Sequence, residues 1–226
     1  CEDVFMVRPP EELVLLEQPQ VGGSTTEALG AMNANTWHTA GYRGTGVKIA
    51  IIDGGFEGYP DLLGSDLPAS VTVRNFVDGE TAAQVNGGGD HGTSCAEIIH
   101  DVAPKATLYL VKIATALDLA EAVQWLINTA RVDVISTSIG WINVTPGDGT
   151  GFFANLVTQA RNAGIFWATA AGNSRLEHWG GAYYDPKGKN THYYNETQNV
   201  NYFGPGNGNL YEIPAGYLIR VTVRWD

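Results

Sequence analysis

Asp53, His91 and Asn173 each stand where an apolar run ends or a helix could begin. Together their side chains suit acyl transfer. Attack on a carbonyl needs a base, a carboxylate that holds the base in one tautomer, and a donor for the developing oxyanion. Asp53 closes the run Val47-Lys48-Ile49-Ala50-Ile51-Ile52 and is followed by Gly54-Gly55, which lets the backbone turn sharply. His91 lies in Gly87-Gly88-Gly89-Asp90-His91-Gly92-Thr93-Ser94, a flexible glycine approach followed by a run that suits a helix. Asn173 lies in Ala170-Ala171-Gly172-Asn173-Ser174, again just after an apolar run. Taken singly, each has a plainer reading as a turn aspartate, a helix-start histidine and a turn asparagine. Taken in chain order, they supply the orienting carboxylate, the base and the oxyanion donor.

Such residues need a rigid frame. Residues 47–53 form an almost continuous apolar run, the pattern of a strand buried on both faces of a parallel sheet, and residues 107–113, 132–138 and 165–171 are strand-like in turn. Residues 28–40, 117–130 and 152–162 read as helices, with Leu119, Val123 and Leu126 at helical spacing. The alternation predicts an α/β domain of three layers, a parallel sheet with helices on both faces. In such sheets functional groups collect at the carboxyl ends of the strands, where Asp53 and Asn173 fall.

Residues 1–23 carry Pro9, Pro10, Pro19 and Gly22-Gly23 around a short apolar run at 13–16, and read as a linker with one strand. Residues 24–174 hold the α/β core. From residue 175 the chain is rich in Gly, Asn, Tyr and Trp. Tyr217, Ile219, Val221, Val223 and Trp225 then alternate with Leu218, Arg220, Thr222 and Arg224. That period of two marks the start of an inserted antiparallel β unit over residues 175–226, cut short at its end.

Composition narrows the function. Thirteen Lys and Arg against 24 Asp and Glu give a net charge of −11 over 226 residues, which disfavours nucleic acid as a partner. No apolar run reaches the roughly 18 residues of a membrane span. Cys1 and Cys95 cannot build a disulfide framework, and Cys95 reads as a small buried hydrophobe. His38, His100, His178 and His192 show no metal-ligand spacing, and Gly87-Gly88-Gly89 lacks the Lys-Ser/Thr of a phosphate loop. No cofactor and no metal are expected.

The words around the three residues resemble the subtilisin-like serine proteases, from about residue 28 to residue 173. The pieces are Ile51-Ile52-Asp53-Gly54-Gly55, Asp90-His91-Gly92-Thr93, Val102-Ala103-Pro104, Val132 to Gly140, and Ala170-Ala171-Gly172-Asn173, in family order. The resemblance implies that Asp53 orients His91, that His91 is the general base, and that the Asn173 amide binds the oxyanion. It implies that Ser138, Ile139 and Gly140 pair with an extended polypeptide substrate by strand addition. It also implies secretion or a cell-surface location, and makes residues 1–23 the end of a pro-segment that is itself a partner.

The departures are specific. The family's nucleophile opens a helix in a Gly-Thr-Ser motif after the oxyanion asparagine; here the one such motif is Gly92-Thr93-Ser94, fused to the histidine. The serine is therefore expected beyond this chain. The competing reading is a catalytically dead peptide-binding module. The family's calcium loop within the histidine helix is missing, and the stretch 112–118 is short for a second substrate-flanking strand.

Overall fold

The structure, a computed structural model, describes residues 13–15, 28–141, 144–173 and 182–189, with Tyr193 and Glu196. The chain divides into two compact units, residues 1–173 and 174–226. In the first unit the strands are β1 (Val14–Leu15), β2 (Lys48–Asp53), β3 (Thr72–Asn75), β4 (Thr107–Lys112), β5 (Val134–Thr137), β6 (Ile139–Gly140) and β7 (Phe166–Thr169). The helices are α1 (Ala28–Ala31), α2 (Ala34–Thr39), α3 (His91–Val102), α4 (Ala116–Trp125) and α5 (Phe152–Asn162).

Five strands form one parallel sheet in the order β3-β4-β2-β5-β7. The most apolar strand, β2, lies at its centre, and every residue of β2 after Lys48 is buried. Successive side chains of a strand point to opposite faces, so the sheet feeds two separate cores. Ile49, Ile51, Leu108 and Leu110 pack with Ala96 of α3 on one face. Ala50, Ile52, Val111 and Ile135 pack with Leu119, Val123 and Leu126, and with Leu156 and Ala160 of α5, on the other. Helices therefore cover both faces, the three-layer α/β arrangement the sequence predicts. Each fully buried Leu or Ile contributes roughly 1.5–3 kcal/mol by leaving water, so the paired cores fix the strand ends firmly.

Four local readings change. Residues 28–40 form two helices, because Asn33 adopts a left-handed conformation (φ 57°, ψ 26°) between them. Asn is among the few residues that enter that region readily, and its side chain accepts from the Thr36 hydroxyl at 2.6 Å. The helix expected over 117–130 ends as α-helix at Trp125 and continues as a wider π-type turn, Leu126–Ala130. Strand β3 was not legible: it is an edge strand without a continuous apolar run. β7 is not buried on both faces, and Phe166 is 67% exposed at the opposite edge.

In the second unit, Tyr184 donates its hydroxyl to Glu196 at 2.5 Å, which raises the Tyr184 pKa. Lys187 lies over the Tyr193 ring. The alternating strand expected at 217–225 lies outside the described residues.

Candidate active site

All five parallel strands end on one edge of the sheet, and that edge gathers the chemistry. Asp53 is the last residue of β2, and His91 is the first residue of α3. His91 Nδ1 lies 2.7 Å from Asp53 Oδ2, and both residues are buried. An ionised carboxylate can only accept, so Nδ1 carries the proton and Nε2 is the basic nitrogen of the neutral ring. The second Asp53 oxygen accepts from the Gly54 amide at 2.7 Å, which fixes the plane of the carboxylate. The two residues that the sequence analysis places in one site are in contact here.

The glycines around them do something the sequence did not suggest. A Cβ on Gly55 would sit 2.1 Å from the Gly87 carbonyl oxygen, and one on Gly88 would sit 2.5 Å from the Gly54 oxygen. A Cβ on Gly92 would lie 2.8 Å from Asp53 Cβ. Gly55 thus serves close backbone approach, and Gly88 packs the run 87–89 against it as a ledge, while a Cβ on Gly89 would meet nothing within 4 Å. The two segments are laced by Phe56 N to Val85 O, Glu57 N to Gly89 O and Gly92 N to Gly55 O, at 2.9–3.2 Å. Thr93 Oγ1 adds a bond to Glu57 O at 2.9 Å.

Next along the chain from β5 runs a short strand whose edge is paired. Ile139 and Gly140 form β6, and half-buried Ser138 joins it to β5. The edge pairs antiparallel with the chain's own β1, Val14 opposite Gly140 and Leu15 opposite Ile139. Leu13 N also donates to Ala114 O at 3.0 Å, so the short stretch 112–118 does offer a second flanking backbone. Ala114 is held there because Asp118 Oδ2 accepts from the amides of Ala114 and Thr115, while the Thr115 hydroxyl accepts from Asp118 N. This is a capping box that starts α4.

Asn173 is exposed, four residues after the end of β7 and next to Gly172, whose φ is +85°. The fold brings it to the same sheet edge without joining it to the histidine–aspartate pair. Ser94 is buried on α3, and its Oγ makes no hydrogen bond among the described residues, so it is not bonded to His91 as a nucleophile would be. Cys95 is half-buried one helical turn after His91. Ligand atoms of Asp53, His91 and Cys95 lie within 4.8 Å of one another. Within that group the structure shows the bond between His91 Nδ1 and Asp53 Oδ2.

Sequence reasoning missed Lys112 and Glu80. Lys112 Nζ, almost fully buried at the end of β4, donates to Glu80 Oε2 at 2.8 Å and to Gln84 O at 2.9 Å. Glu80 also accepts from Asn75 Nδ2 at 2.9 Å, and that bond with the Lys112 contact lowers its pKa. A lysine closing an otherwise apolar strand, paired in register with Asp53, was the available signal.

The chain is similar to several known proteases. The chain is 33% identical over 165 residues to Subtilisin E of Bacillus subtilis, a match covering 66% of this chain and 40% of that protein. It is 33% identical to Subtilisin of Bacillus pumilus, over 66% of this chain and 56% of that one. It is 31% identical to the thermostable alkaline protease of Halalkalibacterium halodurans, over 63% of this chain and 40% of that one. The chain therefore spans about half the length, or less, of these relatives. Among solved structures, the MycP3 protease from the type VII (ESX-3) secretion system matches 76% of this chain and 52% of its own. That match has 22% identity and a TM-score of 0.47. The Subtilase family matches residues 44–219, reaching well past the last motif read from the sequence, and this chain belongs to that family of serine proteases.

Proposed function

We propose that the chain carries the general base, its orienting carboxylate and the oxyanion donor of a serine endopeptidase, the seryl nucleophile being supplied outside these 226 residues. The observation that carries the reading is the buried 2.7 Å bond from His91 Nδ1 to Asp53 Oδ2, together with an antiparallel backbone edge. His91 Nε2 takes the seryl proton as the serine oxygen bonds to the carbonyl carbon. The Asn173 amide donates to the oxyanion that forms. His91 then gives the proton to the leaving amine as the C–N bond breaks, and water repeats the sequence on the acyl-enzyme. Asp53 stabilises the imidazolium between the two transfers. Its burial in the sheet keeps that interaction strong.

The substrate class is an extended polypeptide paired with Ser138, Ile139 and Gly140. Residues 13–15 make the same kind of pairing in cis, so this segment acts as a pro-segment that substrate must displace. The role belongs outside the cell; no helix among the described residues is long and apolar enough to cross a membrane.

The test is the parent polypeptide continued past residue 226, assayed with a fluorophosphonate probe and a peptide substrate. Hydrolysis and labelling are expected, both abolished by His91→Ala. Asn173→Ala should lower kcat by about a hundredfold with KM little changed. Leu13→Pro, which removes the donor to Ala114, should lower KM. Peptide binding without labelling or cleavage would establish the dead peptide-binding module instead.

A further inference from the structure

We infer that Lys112 is a positioning residue for the Asp53–His91 pair, acting through the glycine ledge at residues 85–89. The inference rests on the reading of that pair as base and orienting acid. Lys112 and Asp53 are register partners on adjacent parallel strands, and Leu110 and Ile51, two residues earlier on each strand, share the α3 face. Their side chains therefore leave the sheet on the same side. The Lys112 ammonium nevertheless goes to Glu80 Oε2 and Gln84 O.

The physical consequence follows bond by bond. The ammonium pins the Ala82–Val85 turn through a part-buried, charge-assisted contact to a backbone carbonyl. The next residues form the ledge: Val85 O and Gly89 O take the amides of Phe56 and Glu57. The Lys112 stem runs close beside it, its Cε 3.3 Å from where a Cβ of Gly88 would be. Segment 54–57, held by this ledge, carries the Gly54 amide that fixes Asp53 Oδ1 and the Gly55 carbonyl that takes Gly92 N, next to His91. The glycines themselves add no side chains between the two segments. Backbone bonds set their separation together with the buried side chains of Phe56 and Val85 and the Gly58 N to Asn86 Oδ1 bond, and the lysine fixes one side of it. A shift of a few tenths of an ångström there passes to both members of the pair.

The experiment is nuclear magnetic resonance on the 226-residue chain, reading the His91 Nδ1–H resonance, whose low-field position reports the strength of its bond to Asp53. Hydrogen exchange at Phe56 and Glu57 gives a second readout. Lys112→Met keeps the stem and removes the ammonium; Glu80→Gln is a milder change that keeps an acceptor. Both are expected to move the Nδ1–H resonance to higher field, Lys112→Met more. Lys112→Met should also speed exchange at Phe56 and Glu57 by about tenfold or more relative to Ala50 and Ile51. A lysine that only stabilises the fold would lower the unfolding midpoint and leave the resonance of the folded species in place. If Asp53→Asn shifts that resonance and neither Lys112→Met nor Glu80→Gln does, the positioning role is overturned and the catalytic pair stands. If Asp53→Asn itself leaves it unmoved, the pair is wrong and the lysine's role falls with it.

Discussion

A Cβ on Gly55 would meet the Gly87 carbonyl oxygen at 2.1 Å, a backbone atom that cannot swing aside. A Cβ on Gly87 would meet nothing nearer than Gln84 O at 3.7 Å, an ordinary contact. Gly55→Ala is therefore expected to cost upwards of about 3 kcal/mol, the severe end of overpacking. Gly87→Ala should be neutral or slightly stabilising, because it restricts the unfolded chain. Thermal unfolding of the two variants separates them, and equal midpoints would mean that the ledge yields. The asymmetry is invisible in Gly54-Gly55 and Gly87-Gly88-Gly89 as strings, since each run is explained only by the other. The Asp53–His91 bond, in contrast, was legible, because the residue types and their flanking motifs point to one chemistry.

At the scale of elements, the anchoring of the ledge should be pH-dependent. Glu80 has its pKa lowered first by the Asn75 side chain and then by Lys112. A carboxyl with a depressed folded-state pKa adds stability above its unfolded pKa, about 4.3, and loses it as pH falls through the folded value. The gap in urea midpoint between the parent chain and Glu80→Gln should be widest near neutral pH and close below about pH 4. A gap that stayed constant through that range would show that the Glu80 charge contributes nothing. The helix α5 and strands β2 and β4 were readable to within a residue or so because each buries a side-chain pattern of its own. β1 was readable as a strand from the apolar run at 13–16, but not its partner. Pairing of Val14 with Gly140 depends on an edge from the middle of the chain.

For the whole molecule the dominant long-range term is charge. A net charge of −11 on 226 residues repels itself in the compact state, and the Lys112–Glu80 pair is one contact that offsets part of it. The unfolding midpoint is therefore expected to rise on going from low salt to about 0.15 M, where the Debye length is roughly 8 Å. Retention on heparin or DNA should be absent under the same conditions. A midpoint that falls with salt would mean that attractive pairs outweigh the repulsion.

By itself the sequence determined the layered α/β class, the buried run that becomes β2 and the residue types offered at its end. An apolar run such as Ile49-Ala50-Ile51-Ile52 is stable only when covered on both faces, and that requirement is local to the run. Tertiary structure decided what depends on a distant partner. It set the break at Asn33, the edge strand β3, the occupant of the β6 edge and the destination of the Lys112 ammonium. A buried charge takes whichever acceptors the fold carries to it, and a glycine is required only where another backbone arrives. Neither condition is written in the residues beside it.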